Sequence, residues 1–310
     1  MPKFSVVISV YNKEKYIADT LKSVLAQTFT DFEVVILNDG STDNSEAEIL
    51  KFNDPRIRYF SKENQGAGAG RNFVIKEAKY DYIALLDADD YWYPFYLQEQ
   101  AKLITDFPNE SIFATGIEIM KKGKIFPSEY SLSNLQQNEV RIVNFFTASF
   151  LNSILTSSST VLHKNVFSKV GYYEPSIKSG QDTDLWIRAG LEYSIVFLNK
   201  SCAVYNYAIA SLSNSKLKVS QKASFEKYES FEKDNPTLKK FLDLNRYSLC
   251  VLAKIEGNKE AFQKNFKKIN LENLSKKQQF LLRQNKTILK YLSKTKDNLE
   301  KLGLRLGTFK

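Results

Sequence analysis

Three short acidic segments carry residue types from which a metal-assisted group transfer could be built. Asp87-Ala88-Asp89-Asp90 sets three carboxylates within four positions, and their mutual repulsion is a cost that a bound divalent cation removes. Mg²⁺ and Mn²⁺ take oxygen ligands and usually keep waters and substrate phosphates, so one or two carboxylates suffice and a phosphorylated ligand is implied. Asn38-Asp39-Gly40-Ser41-Thr42-Asp43 reads as a strand end, a tight turn and a helix cap, although an ordinary strand-turn-helix connection uses the same residue types. Gly180-Gln181-Asp182-Thr183-Asp184-Leu185-Trp186 reads as a turn entering a helix. There Asp182 or Thr183 could serve as a cap, and Trp186 suits a core better than a ligand platform. Asp182 and Asp184, two positions apart near a helix start, do not share one face, so at most one points at a site.

Other chemistries lack their residues. Gly66, Gly68 and Gly70 do not have the spacing of a dinucleotide fingerprint, and the first strand-helix turn, Ser9-Val10-Tyr11-Asn12-Lys13, has no glycine, which argues against a nicotinamide enzyme. A Gly-Lys-Ser/Thr phosphate loop and a Gly-x-Ser-x-Gly elbow are both missing. The single histidine, His163, has no sequence partner of ligand type and reads as structural. Cys202 and Cys250 are too far apart and too few for a disulfide framework or a cysteine zinc site.

The acidic segments must be held by the elements around them. Residues 4–10 form a continuous apolar, mostly β-branched run, the pattern of a strand buried on both faces. Tyr16, Ile17, Leu21, Val24 and Leu25 then recur at helical spacing. The alternation repeats with a strand over 32–37, a helix starting near the caps Ser41, Thr42 and Asp43, a strand over 57–60, a helix over 70–78 and a strand over 82–86. Such alternation predicts a parallel sheet covered by helices, with ligands beyond the C-terminal strand ends, where the acidic segments fall. After Pro94 a helix to about Phe107 precedes a segment over 111–120 and an irregular stretch through Asn138. Strands near 159–163, 194–198 and 202–207, with a helix over 183–189, extend the sheet. From Lys216 onward helical periodicity dominates. The domains are therefore expected over 1–210, an α/β catalytic-type domain, and over 211–310, a basic helical appendage.

The chain of 310 residues carries a net charge of +9, unevenly distributed. Lys and Arg number 21 against 25 Asp and Glu over 1–210, but 23 against 10 over 211–310. That excess favours an anionic partner for the tail, a membrane surface, a nucleic acid or a phosphate-bearing acceptor, unless it is only a solvated helical face. No run approaches the length of a spanning helix, and the N-terminus lacks signal-peptide features, so a cytoplasmic protein is expected.

Taken in order, Ser5–Val10 with Tyr11-Asn12, then residues 25–29, Phe32-Glu33, 38–43, 64–72, 86–90 and 180–188, resemble a glycosyltransferase of family 2 with a GT-A fold, over about residues 1–210. The resemblance implies a Rossmann-like mixed, mostly parallel sheet flanked by helices. It also implies an inverting transferase that uses a nucleotide-diphosphate sugar, commonly a UDP-sugar, with Mn²⁺ or Mg²⁺. By motif position Ser9, Tyr11 and Asp39 would hold uracil and ribose, Arg71 would reach the nucleotide, Asp87 would sit at the ribose or sugar, and Asp89 would ligate the metal. Asp182 falls where the family places its catalytic base. Two positions depart from the pattern: Gln181 stands where the family often has Glu, and Ala208 where many relatives carry His.

The expected acceptor is a saccharide or lipid-linked saccharide in surface polysaccharide synthesis, with no nucleic acid partner. Trp92 and Tyr93, in the aromatic run after the acidic loop, are candidates for an acceptor platform, or else the contacts of the next helix. In the tail, leucines at 281, 282, 289, 292, 299, 302 and 304 lie among Lys and Arg. They either face an anionic membrane at the inner side of the cell membrane, as a peripheral protein would, or pack inward in a helical subdomain. Two other functions share these features: a nucleotidyltransferase, and a nucleotide-sugar-binding protein without turnover.

Overall fold

Strand β1 (Phe4–Val10) is almost wholly buried, as its unbroken apolar sequence requires. It lies parallel between β2 (Phe32–Asp39) and β4 (Tyr82–Leu85), and β3 (Ile57–Lys62) adds to β2. Between these strands run α1 (Ile17–Leu25), the short α2 (Ser45–Ile49) and α3 (Ala67–Glu77). The computed structural model describes residues 2–207 and 218–301.

The chain continues through β5 (Tyr91–Trp92), α4 (Tyr96–Asp106), β6 (Ile112–Lys121), β7 (Lys124–Pro127), β8 (Val140–Val143), α5 (Phe145–Ala148), β9 (Thr160–His163), α6 (Asn165–Val170), α7 (Gln181–Glu192) and β10 (Ile195–Asn206). The sheet order is β3-β2-β1-β4-β9-β6-β10-β5, with β7 on β6 and β8 on β10. β3, β2, β1 and β4 are mutually parallel, and β6 is parallel to β10, while β9 runs antiparallel between β4 and β6. This is the mixed α/β sheet flanked by helices that the resemblance implied. α3 packs on β1 and β2, and α4 on β6 and β10.

Two local expectations are revised. The second helix starts at Ser45 and not at the caps 41–43, because Ser41 and Thr42 bind the loop after β1. The Asn12 backbone nitrogen donates to Ser41 Oγ (3.1 Å), and Thr42 N donates to Asn12 Oδ1 (2.8 Å). Asp43 then accepts from Ser45 N (2.9 Å) and Glu14 N (3.1 Å). The two strands expected near 194–207 are one strand, β10, whose register slips between Leu198 and Ala203, so that polar Asn199-Lys200-Ser201 passes through as an irregularity.

Residues divide into two compact units, Met1–Ser215 and Lys216–Lys310. The expected boundary at 210, like Ala208, Leu302 and Leu304, lies outside the described residues. The second unit contains α8 (Pro236–Glu256), α9 (Lys259–Phe266), α10 (Lys276–Arg283) and α11 (Lys286–Lys301). Leu281, Leu282 and Leu289 pack inward with Tyr247, Cys250 and Val251, so these tail leucines are core. Beside that core Arg246, 1% exposed, donates to both oxygens of Glu232 (2.6 and 3.1 Å). Buried Asp243 accepts from Lys239 Nζ (2.5 Å), Asn270 N (3.1 Å) and Asn273 Nδ2 (2.8 Å), which supplies the partners a buried carboxylate needs. Among the described residues no helix is long and apolar enough to cross a membrane.

Candidate active site

The candidate residues gather at the C-terminal ends of β1, β2 and β4. Asp39 closes β2, is 2% exposed, and accepts from the backbone nitrogens of Gln65 (3.0 Å) and Gly66 (3.1 Å). That pair fixes the loop entering α3. Gly40, at φ +69, crosses so close to this loop that a Cβ would stand 2.7 Å from Asn64 N, so the left-handed turn and the approach both require glycine. Ser9, near the end of β1, lies against Gly70 of α3, where an added Cβ would meet its hydroxyl at 2.2 Å. Tyr11 follows, 47% exposed.

Arg71 reaches from α3 to join two of the acidic segments. Its Nη2 donates to Asp87 Oδ1 (2.5 Å) and its Nη1 lies 3.8 Å from Asp182 Oδ1. The guanidinium stands 5.4 Å from the centre of the Tyr173 ring. Removal from water alone would lower its pKa, but the charges of Asp182 and Asp87 outweigh this and hold it well above the ordinary value. Gln181, with its amide turned so that both ends are satisfied, accepts from Arg71 Nη1 (3.1 Å) and donates to the Ile177 carbonyl (3.1 Å). The departure at this position thus puts a neutral acceptor, not a third carboxylate, on the guanidinium.

Desolvation raises the pKa of Asp182. Arg71 opposes it, Asp87 adds to it, and the Ser157 hydroxyl, 3.2 Å from Asp182 Oδ1, stabilises the carboxylate. Burial also raises Asp89, against the attraction of Lys13, whose ammonium pairs with Asp89 Oδ2. Asp90 points elsewhere. It is 1% exposed and accepts from Asn206 N (2.8 Å) of β10 and from Ser158 Oγ (2.5 Å). Burial, with the charges of Asp87 and Asp89, pushes its pKa well up. Asp90 therefore anchors the acidic loop to β10. Asp90→Asn, which keeps an acceptor and carries no charge, should change unfolding free energy by less than about 1 kcal/mol. Asp90→Ala strands two buried donors and should cost roughly 2–4 kcal/mol; denaturant midpoints of the two variants check the contrast.

Adjacent hydroxyls in the turn before β9 serve both carboxylate segments. Ser157 binds Asp182, while Ser158 binds Asp90 and accepts from Asp87 N (3.3 Å). Lys13, Ser157, Ser158 and Tyr173 were not candidates from the sequence; they sit in loops without periodicity, and only the partial excess of carboxylates hinted that such partners must exist.

Trp92 is not an acceptor platform. It is 2% exposed, stacks on Tyr96 with centroids 4.1 Å apart, and donates Nε1–H to the Ser158 carbonyl (2.7 Å). Alternation along β5 turns it inward while half-buried Tyr91 and Tyr93 face the other way. Tyr93 stacks on Phe95 and donates to Glu118 Oε2 (2.5 Å), which with burial raises its pKa. His163 accepts from Asn165 N (3.2 Å) and packs edge-on against Tyr82, a structural role.

Among the described residues no three His, Cys, Asp or Glu side chains converge as a ready metal cage. The oxygen donors of Asp87 and Asp89 fit Mg²⁺ or Mn²⁺ where diphosphate oxygens and water complete the shell. Asp89, buried and repelled by the neighbouring Asp87, is the carboxylate whose strain such a cation relieves.

A model of the family described as Glycosyl transferase family 2 matches residues 5–170. An uncharacterized glycosyltransferase of Rickettsia felis is 33% identical over 194 residues, covering 60% of this chain and 31% of that protein. Another, from Rickettsia typhi, is 30% identical over 188 residues, covering 60% and 58%. The match thus spans about a third and less than three fifths of these relatives' lengths. Among solved structures, residues 1–349 of S. aureus TarS superpose with a TM-score of 0.58 at 20% identity, over 87% of this chain and 88% of that one. TarS has also been crystallised with UDP and with UDP-GlcNAc.

Proposed function

The chain belongs to glycosyltransferase family 2, and from that premise we propose that it moves a sugar from a nucleotide-diphosphate donor, a UDP-sugar, to a saccharide or lipid-linked saccharide hydroxyl with inversion. The observation that carries the reading is the bridge Asp87–Arg71–Asp182, which ties the acidic loop after β4 to the start of α7 around one guanidinium. The UDP-GlcNAc complex of TarS supports the donor class.

In this reading Ser9, Tyr11, Asp39 and Arg71 form the nucleotide end, Asp87 faces the ribose or sugar, and Asp89 would hold Mg²⁺ or Mn²⁺. When bound there, such a cation would supply charge neutralisation on the departing diphosphate. Asp182 accepts the acceptor hydroxyl proton as that oxygen bonds to the sugar C1. The bond from C1 to the diphosphate oxygen breaks with its electron pair on the departing nucleotide, and attack opposite the leaving group inverts C1. A carboxylate raised by desolvation is a stronger base than one in water, and Arg71 keeps it ionised. Ser157 acts as a positioning residue, holding the Asp182 carboxylate through Oδ1. Surface polysaccharide assembly from the cytoplasmic side of a membrane is the proposed setting.

A panel of UDP- and GDP-sugars with Mn²⁺, followed by nucleoside diphosphate release, tests this. UDP release from one donor supports the transferase. Pyrophosphate release instead favours a nucleotidyltransferase, and donor binding without release favours a binding protein; either overturns the reading.

A further inference from the structure

Residues 273–296 contain seven Lys and Arg and not one Asp or Glu. α10 and α11 bury Leu281, Leu282 and Leu289 toward the helical core, and α8 is the helix both pack against. The opposite faces would then be expected to be polar throughout. Instead Phe280 is 57% exposed and Tyr291 69%, each with cations at neighbouring helical positions, and Ile288, 40% exposed, lies one turn before Tyr291. Lys276, Lys277 and Arg283 are one turn or less from Phe280, and Lys290 and Lys294 flank Tyr291. All of these cations are exposed, and among the described residues none of them forms an ion pair.

We infer that this outer face of α10 and α11 docks on the headgroup region of an anionic bilayer, with Phe280, Ile288 and Tyr291 entering the acyl boundary and the lysines meeting lipid phosphates. Large apolar side chains standing among unpaired lysines are the composition of an interfacial helix, because each gains only where an apolar layer lies beneath an anionic one. A water-facing helix gains nothing from them. A nucleic acid partner fits less well: Ile288 has no ring to stack on a base, and the cations are mostly Lys, which lacks the planar fork that grips phosphate and base edges. The surface does not depend on the catalytic reading, and its test requires no donor sugar.

Flotation of the full chain with phosphatidylcholine vesicles, with and without phosphatidylglycerol, decides it. Binding is expected only to the anionic vesicles and to weaken with salt. Lys290→Gln combined with Lys294→Gln should lower partitioning about 30-fold, at roughly tenfold per 1.4 kcal/mol and about 1 kcal/mol per cation. Phe280→Ala combined with Tyr291→Ala, both at exposed positions, should lower it about tenfold or more, with unchanged thermal unfolding as the folding control. Wild-type protein left in the buffer fraction, or an aromatic double variant that floats like wild type, overturns the proposal. So does capture on single-stranded RNA without flotation.

Discussion

Asp182→Asn is expected to lower turnover by about 10²- to 10⁴-fold, roughly 3–5 kcal/mol of barrier, while UDP affinity stays near that of the wild type. The amide is nearly isosteric and can still accept from Ser157, so the site keeps its shape and loses a base. Steady-state donor turnover beside UDP titration by calorimetry separates the two quantities. Near-normal turnover would remove Asp182 from the proposed role. In the wild type the acid limb of turnover should lie above the range of an ordinary aspartate, since desolvation raises Asp182.

Arg71→Met should act on stability and on pH dependence together. The guanidinium side chain is 15% exposed, and its partners Asp87 and Asp182 are 28% and 39% exposed. Removing a fully buried partner costs about 3–5 kcal/mol; with these carboxylates partly hydrated, about 1–3 kcal/mol is expected at neutral pH. Without Arg71 the attraction that opposes desolvation is gone and the repulsion from Asp87 remains, so the Asp182 pKa climbs further. A folded-state pKa above the unfolded one means the native state holds the extra proton, so stability falls as pH rises through it. The deficit of the variant should therefore shrink in acid, and its acid limb of turnover should move to higher pH. Chemical unfolding across pH, with parallel rate profiles, checks both. A deficit that grows in acid would contradict the bridge.

The acidic segments were legible because each follows an apolar run whose length and β-branching mark it as a buried strand, and because three carboxylates in four positions have no economical structural use. What the sequence did not disclose was the division of labour inside that cluster. Asp87 and Asp89 face Arg71 and Lys13, whereas Asp90 turns back onto β10, a choice set by a strand more than a hundred residues downstream. Trp92 was ambiguous for a similar reason. An aromatic run reads alike as platform or core, and the two-residue strand β5 that turns Trp92 inward is too short to leave a period in the sequence. Leu281, Leu282 and Leu289 were equally two-sided in helical spacing, and α8 resolved these three as core. The slip within β10 was invisible because Asn199-Lys200-Ser201 looks like a loop unless β6 is present to carry the register across it.

The paired hydroxyls at 157 and 158 also constrain how this scaffold can be re-engineered. Between β8 and β9 a change of length fits only around exposed Leu151, because Phe145, Phe146, Ala148, Ile154 and Leu155 are buried. One residue added or removed between Thr156 and Ser158 would rotate both serines, leaving Asp182 its contact with Arg71 and Asp90 its bond from Asn206 N. Chimeras altered near Leu151 should fold and retain nucleotide affinity, whereas those with a residue inserted after Thr156 should loosen both segments at once.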